Sequence, residues 1–333
     1  MKTFIIGHIK PDLDSAVSAV SLKYLFDRGE CFKRKSTIPV LASPANKETQ
    51  TIFKKFKTPL PKVLKKDQIS PKDLFVLVDH NEESQRLPGI KNDQITDIFD
   101  HHKMVVNFST PIFITTKPWG STNTIIYWLM QISQIRPIRQ IAPLMLAAVL
   151  SDTVGLKSAT TTDKDKQAVK DLAKIADISD INALTLEIFK AKSNINDLTP
   201  TQIATNDYKI YQFSGKKVLI NQIETVEQQK ILSQKQKLLQ AMEKVKSTQK
   251  IDLIFMVISD VLKVNSKLIY SNDEEKKVVE KAFQGRGEAN VLNIGPRLSR
   301  KKEIAPKIEK ALKWVQAMQG LSSENSRTDP AGN

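Results

Sequence analysis

The stretch Leu74–Asp79, LFVLVD, followed by His80, decides how the first half of the chain folds. It is a short apolar run that ends in a carboxylate, and Ile95–Asp100, ITDIFD, repeats that form directly before His101. Near the start of the chain, Thr3–Gly7 is a third apolar run, and a histidine follows it too. Continuous apolar runs of this length are typical of strands buried on both faces of a parallel sheet. The predicted fold class is therefore α/β.

Helical patterns separate these runs, as expected of βα units around a parallel sheet. Ser15–Asp27 is predicted to be a helix with Ser15 as its N-cap, and Ile141–Leu150 to be a helix buried on all sides. Lys164–Ala176 has the apolar spacing of an amphipathic helix. In open α/β sheets the functional residues lie at the carboxyl ends of the strands, and the acids and histidines of this chain stand there.

The second half of the chain repeats strand and helix patterns beyond a polar, turn-rich segment at Lys190–Pro200. Its predicted elements are three strands, a long helix and a final helix: Lys217–Ile223, Ile251–Ile258, Val291–Ile294, Glu227–Lys246 and Ile304–Met318. The last residues contain few apolar side chains and are expected to be disordered. We therefore predict a metal-binding domain at 1–190, a linker at 191–200, a smaller α/β domain at 201–319 and a tail at 320–333.

Composition narrows the function classes without choosing among them. The 333 residues include 51 lysines and arginines against 36 acids, a net charge of +15. Nucleic-acid binding, a densely anionic substrate and simply solvated lysines all explain such a charge. Few aromatic residues are interleaved with the lysines, so no base-stacking surface is evident. Charge alone does not decide.

The location expected from the sequence is the cytoplasm. No apolar run approaches the roughly 20 residues that span a bilayer, so no membrane partner is expected. The first residues, MKTFIIGHIKPDLD, contain too short an apolar stretch for a signal peptide. The single cysteine, Cys31, can form no internal disulfide, which agrees with a reducing compartment.

All four histidines of the chain stand beside carboxylates at predicted strand ends. The candidate residues are His8, Asp12, Asp14, Asp79, His80, Asp100, His101, His102 and, at the end of the apolar helix, Asp152. Histidine nitrogen and carboxylate oxygen are the ligands of Mn²⁺, Co²⁺ and Zn²⁺. So many ligands exceed the needs of one ion and suit two ions about 3.5–4 Å apart, which activate water and clamp phosphoryl oxygens. The chain has no CxxC pair and no P-loop. Neither a structural zinc site nor a nucleotide-binding P-loop is therefore its central functional feature.

A basic run in the second half could bind phosphate. Ser299–Lys302, SRKK, follows a Gly-Pro turn and precedes the last predicted helix. An arginine grips two phosphate oxygens at once, and a lysine adds a mobile point charge. On its own such a run is more simply a solvated face, but beside a two-metal site it becomes a credible phosphate clamp.

Five segments occur together: GHIKPDLDS, VLVDHNE, FDHHK, LSDT followed by KSATTTD, and LSRKKE. In this order and spacing the chain resembles the family II, manganese-dependent inorganic pyrophosphatases of the DHH superfamily, over nearly all its length to about Met318. The resemblance implies a parallel-sheet DHH domain and a smaller DHHA2-type domain that closes over the active site. It implies hydrolysis of inorganic pyrophosphate to two phosphates by a metal-bridged hydroxide. A homodimer formed through the first domain is implied as well.

The resemblance also assigns roles to individual residues. Two ligand sets joined by Asp79 would hold two Mn²⁺ ions per subunit: His8, Asp12 and Asp79 for one, and Asp14, Asp79, His101 and Asp152 for the other. The catalytic residues would be Asp12, Asp79 and His102, and Asp12 would accept the proton of the attacking water. Asp100 would orient the histidines. The substrate would be bound by His102, Lys209, Arg300 and Lys301. Co²⁺ can substitute for Mn²⁺, and Mg²⁺ would arrive with the substrate.

Some positions depart from the family pattern and keep alternatives open. The first motif usually reads NPDTD, whereas Lys10 and Leu13 stand here for asparagine and threonine, and Trp119 replaces a smaller apolar residue. Exopolyphosphatases of the same architecture remain an alternative, although they tend to carry asparagine at the position of His8. Oligonucleotide phosphodiesterases of the DHH type use a glycine- and histidine-rich C-terminal motif. No histidine follows His102, so nucleic acid is not expected as a partner. A non-enzymatic scaffold would leave the ligand set unexplained.

Overall fold

The structure, a computed structural model, describes residues 1–29, 36–193 and 198–325. The chain divides into two compact units, Met1–Lys192 and Ser193–Asn333. This division falls inside the segment 191–200 that the sequence predicts as a linker. Part of that linker, 194–197, and the end of the predicted tail, 326–333, lie outside the described residues.

The first unit is built on a parallel sheet, which confirms the predicted fold class. Its strands are β1 Thr3–Ile6, β2 Thr37–Leu41, β3 Lys62–Val63, β4 Leu74–Val78, β5 Ile95–Asp100 and β6 Phe113–Thr116. Within the described residues these six strands pair in the order β3-β2-β1-β4-β5-β6, every pair parallel. Their carboxyl ends therefore meet at one edge of the sheet.

Both faces of this sheet are covered, which is why its strands are apolar throughout. The helices of the unit are α1 Leu13–Arg28, α2 Lys47–Lys55, α3 Thr122–Ile132, α4 Ala142–Asp152, α5 Asp163–Ala176 and α6 Ile181–Lys192. In β4, Val76 and Val78 pack into the cluster formed with α1, α3 and α4, whereas Phe75 and Leu77 pack into a second cluster. Each such side chain contributes about 1.5–3 kcal/mol by burial. Because both faces of the strand are apolar, a slip of one residue in the strand register would still bury apolar side chains on each face. The hydrophobic pattern alone therefore does not fix the register, and the turns and loops must do so.

The start of α1 differs from the prediction. The helix begins at Leu13 and its N-cap is Asp12, whose Oδ1 accepts a hydrogen bond of 3.0 Å from the Ser15 amide. The prediction of Ser15 as the N-cap is therefore wrong. Leu13 is fully buried in the core and forms the first turn, which draws the start of the helix back to Asp12. Helix and cap thus hold Asp12 and Asp14 close to the end of β1.

The second unit is an α/β unit with a mixed sheet. Its strands are β7 Tyr208–Phe213, β8 Lys216–Thr225, β9 Leu253–Asp260, β10 Asn265–Ile269 and β11 Val291–Gly295. Within the described residues they pair in the order β11-β10-β9-β8-β7, with only β8 and β9 parallel. The helices are α7 Pro200–Ala204, α8 Gln228–Leu232, α9 Lys235–Gln249, α10 Asp273–Phe283 and α11 Ala305–Asn325.

Two helix predictions for this unit need correction. The single long helix predicted at Glu227–Lys246 is two helices, α8 and α9, separated at Ser233 and Gln234. The final helix begins one residue later than predicted and continues to Asn325, beyond residue 320, where composition placed the start of a disordered tail. In both cases apolar spacing identified a helix but could not locate its ends. Among the described residues, no helix is both long and apolar enough to cross a membrane.

Candidate metal centre

The edge of the parallel sheet gathers six of the acids and histidines that the sequence singled out. His8 follows β1, Asp79 follows β4, His101 follows β5, and the others lie at helix ends: Asp12 and Asp14 at the start of α1, Asp152 at the end of α4. Two overlapping groups have their ligand atoms within 4.8 Å of one another: His8, Asp12 and Asp79, and Asp14, Asp79, His101 and Asp152. A third group joins His102 to Asp79 and His101.

Asp79 stands between the two groups and presents a different oxygen to each. Its Oδ2 lies 3.5 Å from His8 Nε2, and its Oδ1 lies 3.4 Å from His101 Nε2. Thr122 Oγ1 donates to the same Oδ1 at 3.0 Å. The backbone of Asp79 has a φ of +61°, a left-handed conformation that turns the chain sharply after β4. This turn leaves the carboxylate buried between the histidines rather than pointing along the strand.

The two histidines are oriented by backbone carbonyls. His8 Nδ1 lies 2.8 Å from the carbonyl oxygen of Ile9, and His101 Nδ1 lies 2.9 Å from that of Trp119. A carbonyl only accepts, so each Nδ1 carries a hydrogen, and each Nε2 faces the carboxylates, where it could offer a lone pair to a metal ion once deprotonated. Among the described residues, the buried Nε2 of His101 has no hydrogen-bond partner. A divalent cation fits this donor set, because it would satisfy that nitrogen.

The electrostatics of the cluster favour added positive charge. Burial raises the pKa of Asp14 to about 6, and the Asp79 carboxylate adds to the shift. Burial, and then Asp14 and Asp12, raise the pKa of Asp152 well above its usual range. Buried acids that repel one another in this way are costly unless cations neutralise them. The crowding is what a metal centre requires and what an ordinary core avoids.

The histidine pKa values show the same attraction for cations. Burial lowers the pKa of His8 and His101, but neighbouring carboxylates outweigh that effect and raise them to about 11 and about 10. Burial would raise the pKa of Asp79, yet the nearby imidazoles of His101 and His8 bring it below its usual range. Bound metal ions would take the place of these protons, since metal ligands must be deprotonated.

Asp14 is held by a polar loop whose role the sequence analysis did not identify. Its carboxylate accepts hydrogen bonds from Ser121 Oγ at 2.6 Å, the Thr122 amide at 2.8 Å and Asn123 Nδ2 at 2.8 Å. These residues begin α3, where Ser121 is the N-cap. A Gly-Ser-Thr-Asn run before an apolar helix is a recognisable N-cap signal, but nothing in it specifies a partner in α1.

A buried carboxylate in α5, Asp165, fixes this loop from behind. It accepts from the Gly120 amide at 2.9 Å, Thr124 Oγ1 at 2.6 Å and the Thr162 amide at 2.7 Å. A Cβ at Gly120 would lie 2.6 Å from Thr153 Cγ2 and 3.0 Å from Asp165 Oδ2, so only glycine fits there. The loop is thus tied to α5 on one side and to Asp14 on the other.

His102 belongs to a separate hydrogen-bonded chain. Its Nδ1 lies 2.8 Å from Asp100 Oδ1, and the other oxygen of Asp100 accepts from Asn81 Nδ2 at 2.6 Å. The hydrogen bond with Asp100 raises the pKa of His102. Asp100 is therefore placed to orient His102, whose ring is half exposed and presents Nε2 for other contacts. Sequence analysis assigned no role to Asn81, although it quoted the motif that contains it.

A cleft of about 520 Å³ opens over the cluster. It is lined by His8, Ile9, Lys10, Asp12, Asp79, Gln85, His101, His102 and Asp152. Of the three positions that depart from the family's pattern, Lys10 lines the cleft, whereas Leu13 and Trp119 do not. Leu13 is a core residue, and the Trp119 side chain packs edge-on against Trp128 with ring centroids 5.8 Å apart.

The cations proposed from sequence for phosphate binding lie in the second unit. Arg300 starts a π-helical turn, Arg300–Ile304, that Ser299 caps through its side chain. Its guanidinium donates to the Asp207 carbonyl at 2.8 Å and to Asp207 Oδ1 at 2.9 Å. Lys209 lies two residues after Asp207, in β7. The side chains of Lys209 and Lys301 are both exposed. The structure thus brings the metal-ligand candidates together in the first unit and holds these three cations in the second.

Comparison with known proteins agrees with this division. Residues 2–149 match the DHH family, N-terminal domain, and residues 186–311 match the DHHA2 domain. A manganese-dependent inorganic pyrophosphatase of Methanocaldococcus jannaschii is 35% identical over 318 residues, 92% of this chain and 98% of the relative. That of Methanothrix thermoacetophila is 36% identical over 312 residues, 93% of this chain and 98% of the relative.

A solved structure leads to the same family. A crystal structure from Methanococcus jannaschii, assigned to the family II inorganic pyrophosphatases, has 34% sequence identity and a TM-score of 0.64. The match covers 93% of this chain and 99% of that one. Sequence, domain order and fold agree over nearly the whole length. The chain therefore belongs to the manganese-dependent inorganic pyrophosphatases, built from a DHH domain followed by a DHHA2 domain.

Proposed function

We propose that the chain hydrolyses inorganic pyrophosphate to two phosphates with two Mn²⁺ ions in the cleft of the first unit. The observation that carries the proposal is the position of Asp79, whose two oxygens face the Nε2 atoms of His8 and His101 separately. A carboxylate so placed can bridge two ions. The manganese-dependent pyrophosphatases at 35% and 36% identity support both the metal and the substrate.

The ligand sets follow from the two groups. His8, Asp12 and Asp79 would hold one ion, and Asp14, Asp79, His101 and Asp152 the other. When bound, such ions lower the pKa of water and neutralise charge on phosphoryl oxygens. Histidine nitrogen favours Mn²⁺ or Co²⁺ in these sets, whereas Mg²⁺, which prefers oxygen ligands, suits the substrate phosphates.

Two side chains of the first unit would move protons or contact substrate. Asp12 spends one oxygen on the Ser15 amide and remains partly exposed in the cleft, so it can accept a proton from the attacking water. His102, which Asp100 holds by its Nδ1, can donate from Nε2 to a phosphate oxygen. The hydrogen bond that raises its pKa also favours the protonated form that such donation needs.

We further propose that Lys209, Arg300 and Lys301 bind the substrate's phosphate oxygens. Asp207 contacts Arg300 through its carbonyl and its carboxylate, which restricts the guanidinium before any anion binds. A pre-oriented fork loses less entropy on binding phosphate than a free side chain would. The proposal requires the second unit to bring these cations to the substrate, closing over it during turnover.

The exposed edge of the first sheet supports a homodimer. Strand β6 pairs only with β5 among the described strands, and it exposes Phe113 and Ile114 on its two faces. Val105 and Val106 nearby in sequence are exposed too. A strand with apolar side chains and one free hydrogen-bonding edge favours aggregation unless another chain covers it. We propose that a second copy of the chain covers this edge strand.

We also propose that the protein acts in the cytoplasm.

One assay tests the central proposal. Phosphate release is measured from pyrophosphate, tripolyphosphate and a dinucleotide, after exhaustive chelation, with Mn²⁺, Co²⁺ or Mg²⁺ added back. We expect pyrophosphate with Mn²⁺ or Co²⁺ to be by far the fastest combination. Equal rates on the dinucleotide would refute the substrate, faster release from tripolyphosphate would favour an exopolyphosphatase, and full activity in Mg²⁺ alone would refute the metal assignment.

A further inference from the structure

The cleft of the metal centre contains a lysine, Lys10, among acids, histidines and two uncharged residues. This lysine lies two positions after His8 and two before Asp12. Resting on the proposed function, we propose that the Lys10 amine binds a phosphate oxygen of the substrate and is a substrate-binding residue of the first unit. It would act alongside the cations of the second unit, and it would act without any movement of that unit.

The backbone at Lys10 is held in an uncommon conformation. Its φ is +55°, in the left-handed region that asparagine, aspartate and glycine adopt more readily than lysine. The next residue is Pro11, which restricts Lys10 further. Backbone preference therefore does not select a lysine at this position.

Two hydrogen bonds fix the direction in which the Lys10 side chain leaves the loop. The Lys10 amide donates to Ser43 Oγ at 3.0 Å, and the Ile9 amide donates to the Gln85 carbonyl at 2.8 Å. The loop is thus braced on both sides, by the segment after β2 and by the segment after β4. The same loop carries His8, so Lys10 is attached rigidly to the metal centre.

In the part of the chain that the structure describes, Lys10 has no ion pair, although several carboxylates line the same cleft. Arg300 differs, because Asp207 already contacts its guanidinium. A lysine that faces a cleft without a fixed partner can follow an incoming anion as a mobile point charge.

The net charge of the metal-loaded cleft indicates how Lys10 could contribute to substrate binding. Asp12, Asp14, Asp79 and Asp152 together carry four negative charges when ionised, and two divalent ions would cancel them. The cleft would then have little net attraction for a dense anion. Lys10 adds a positive charge at its rim, which favours pyrophosphate and, equally, retained phosphate product.

The test compares Lys10→Met with Lys10→Arg in the full-length Mn²⁺-loaded protein. The probe is methylenediphosphonate, a pyrophosphate analogue whose bridge cannot be hydrolysed, and its Kd is measured by calorimetry. We expect about a tenfold weaker Kd for Lys10→Met and a change within about threefold for Lys10→Arg, with the Mn²⁺ affinity of both unchanged. The matched control is Lys103→Met, because Lys103 is exposed, lies in the same unit and does not line the cleft.

Each outcome has one meaning. A Lys10→Met protein that binds the analogue as the wild type does would overturn the inference, as would an equal loss in the Lys103→Met control. Lost Mn²⁺ affinity in Lys10→Met would also overturn it, since Lys10 would then support the metal loop rather than the substrate. A wild-type protein that releases no phosphate from pyrophosphate would overturn the proposed function itself, and the inference with it.

Discussion

The two units of this chain offer opposite kinds of chemistry. In the first, the candidate functional side chains are acids and histidines, most of them buried or partly buried, and some are fixed by several hydrogen bonds, as Asp14 is by the Ser121–Asn123 loop. In the second, the candidates are exposed lysines and one arginine, which Asp207 contacts. Ligands must be positioned before an ion binds, whereas cations that meet an anion can remain mobile. Mutations in the two units should therefore affect different measurements.

The largest effect is expected at the point where the two ligand groups meet. Asp79→Ala removes the carboxylate that faces both His8 and His101, so neither proposed ion keeps its full ligand set. We expect kcat/KM to fall by roughly a thousandfold or more, because activated water and charge neutralisation are both lost. Steady-state phosphate release over a range of Mn²⁺ concentrations measures this. Asp79→Asn is the isosteric control, and near-normal activity in either variant would contradict a bridging role.

The next largest effect tests whether the first unit depends on support behind its ligands. Asp165→Ala leaves the Gly120 and Thr162 amides without their acceptor and frees the loop that holds Asp14. Direct hydrogen-bond partners of metal ligands typically change affinity by about 10- to 100-fold, and Asp165 acts one step further away, so Mn²⁺ binding should weaken by about tenfold, the lower end of that range. Titration calorimetry measures it. Asp171→Ala, on the same helix α5, is the control, and equal Mn²⁺ affinity in both variants would show that the loop needs no such support.

A different effect of comparable size is expected in the second unit. Arg300→Ala touches no residue of the ligand groups, so Mn²⁺ affinity should stay unchanged. Losing one charge-assisted contact of about 1.5–3 kcal/mol should lower kcat/KM at least about tenfold. Metal titration and kinetics on one preparation separate the two quantities. Lys302→Ala, in the same turn, is the control, and weaker Mn²⁺ binding in Arg300→Ala with normal catalysis would break the proposed division of labour.

The smallest effect on catalysis is expected at the sheet edge. Phe113→Asp places a charge on the exposed strand β6 and should separate the proposed dimer into monomers of 37.5 kDa. Phosphate release should change by no more than about twofold, because β6 contributes no residue to the cleft. Light scattering at micromolar concentration measures the mass. A wild-type mass of 37.5 kDa would refute the dimer without touching the assignment of function.

Sequence reasoning succeeded where a residue acts through its own side chain. The runs before Asp79 and His101 predicted buried parallel strands, and the structure confirms them as β4 and β5. It failed where a residue acts through a distant partner. Asn81, Asp165 and the Ser121–Asn123 loop were missed, because their partners lie between 19 and 109 positions away in the chain.

The corrected elements have the same origin. Ser15 looked like an N-cap because serine favours that position, but the fully buried Leu13 begins the helix and makes Asp12 its cap. The break between α8 and α9 was also missed, since the apolar spacing continues across it. Local preference is a weak signal, and packing against the rest of the unit overrides it.

By itself, the sequence determined the α/β class, the family and the residue types that could bind metal, because apolar periodicity and short motifs are local properties of the chain. Only the tertiary structure decided that the two oxygens of Asp79 face different histidines, that His101 Nε2 has no hydrogen-bond partner among the described residues, and that Lys10 lines the same cleft. Those facts depend on parallel strands bringing distant segments to one edge of a sheet. No local pattern encodes the distances between segments that meet only after folding.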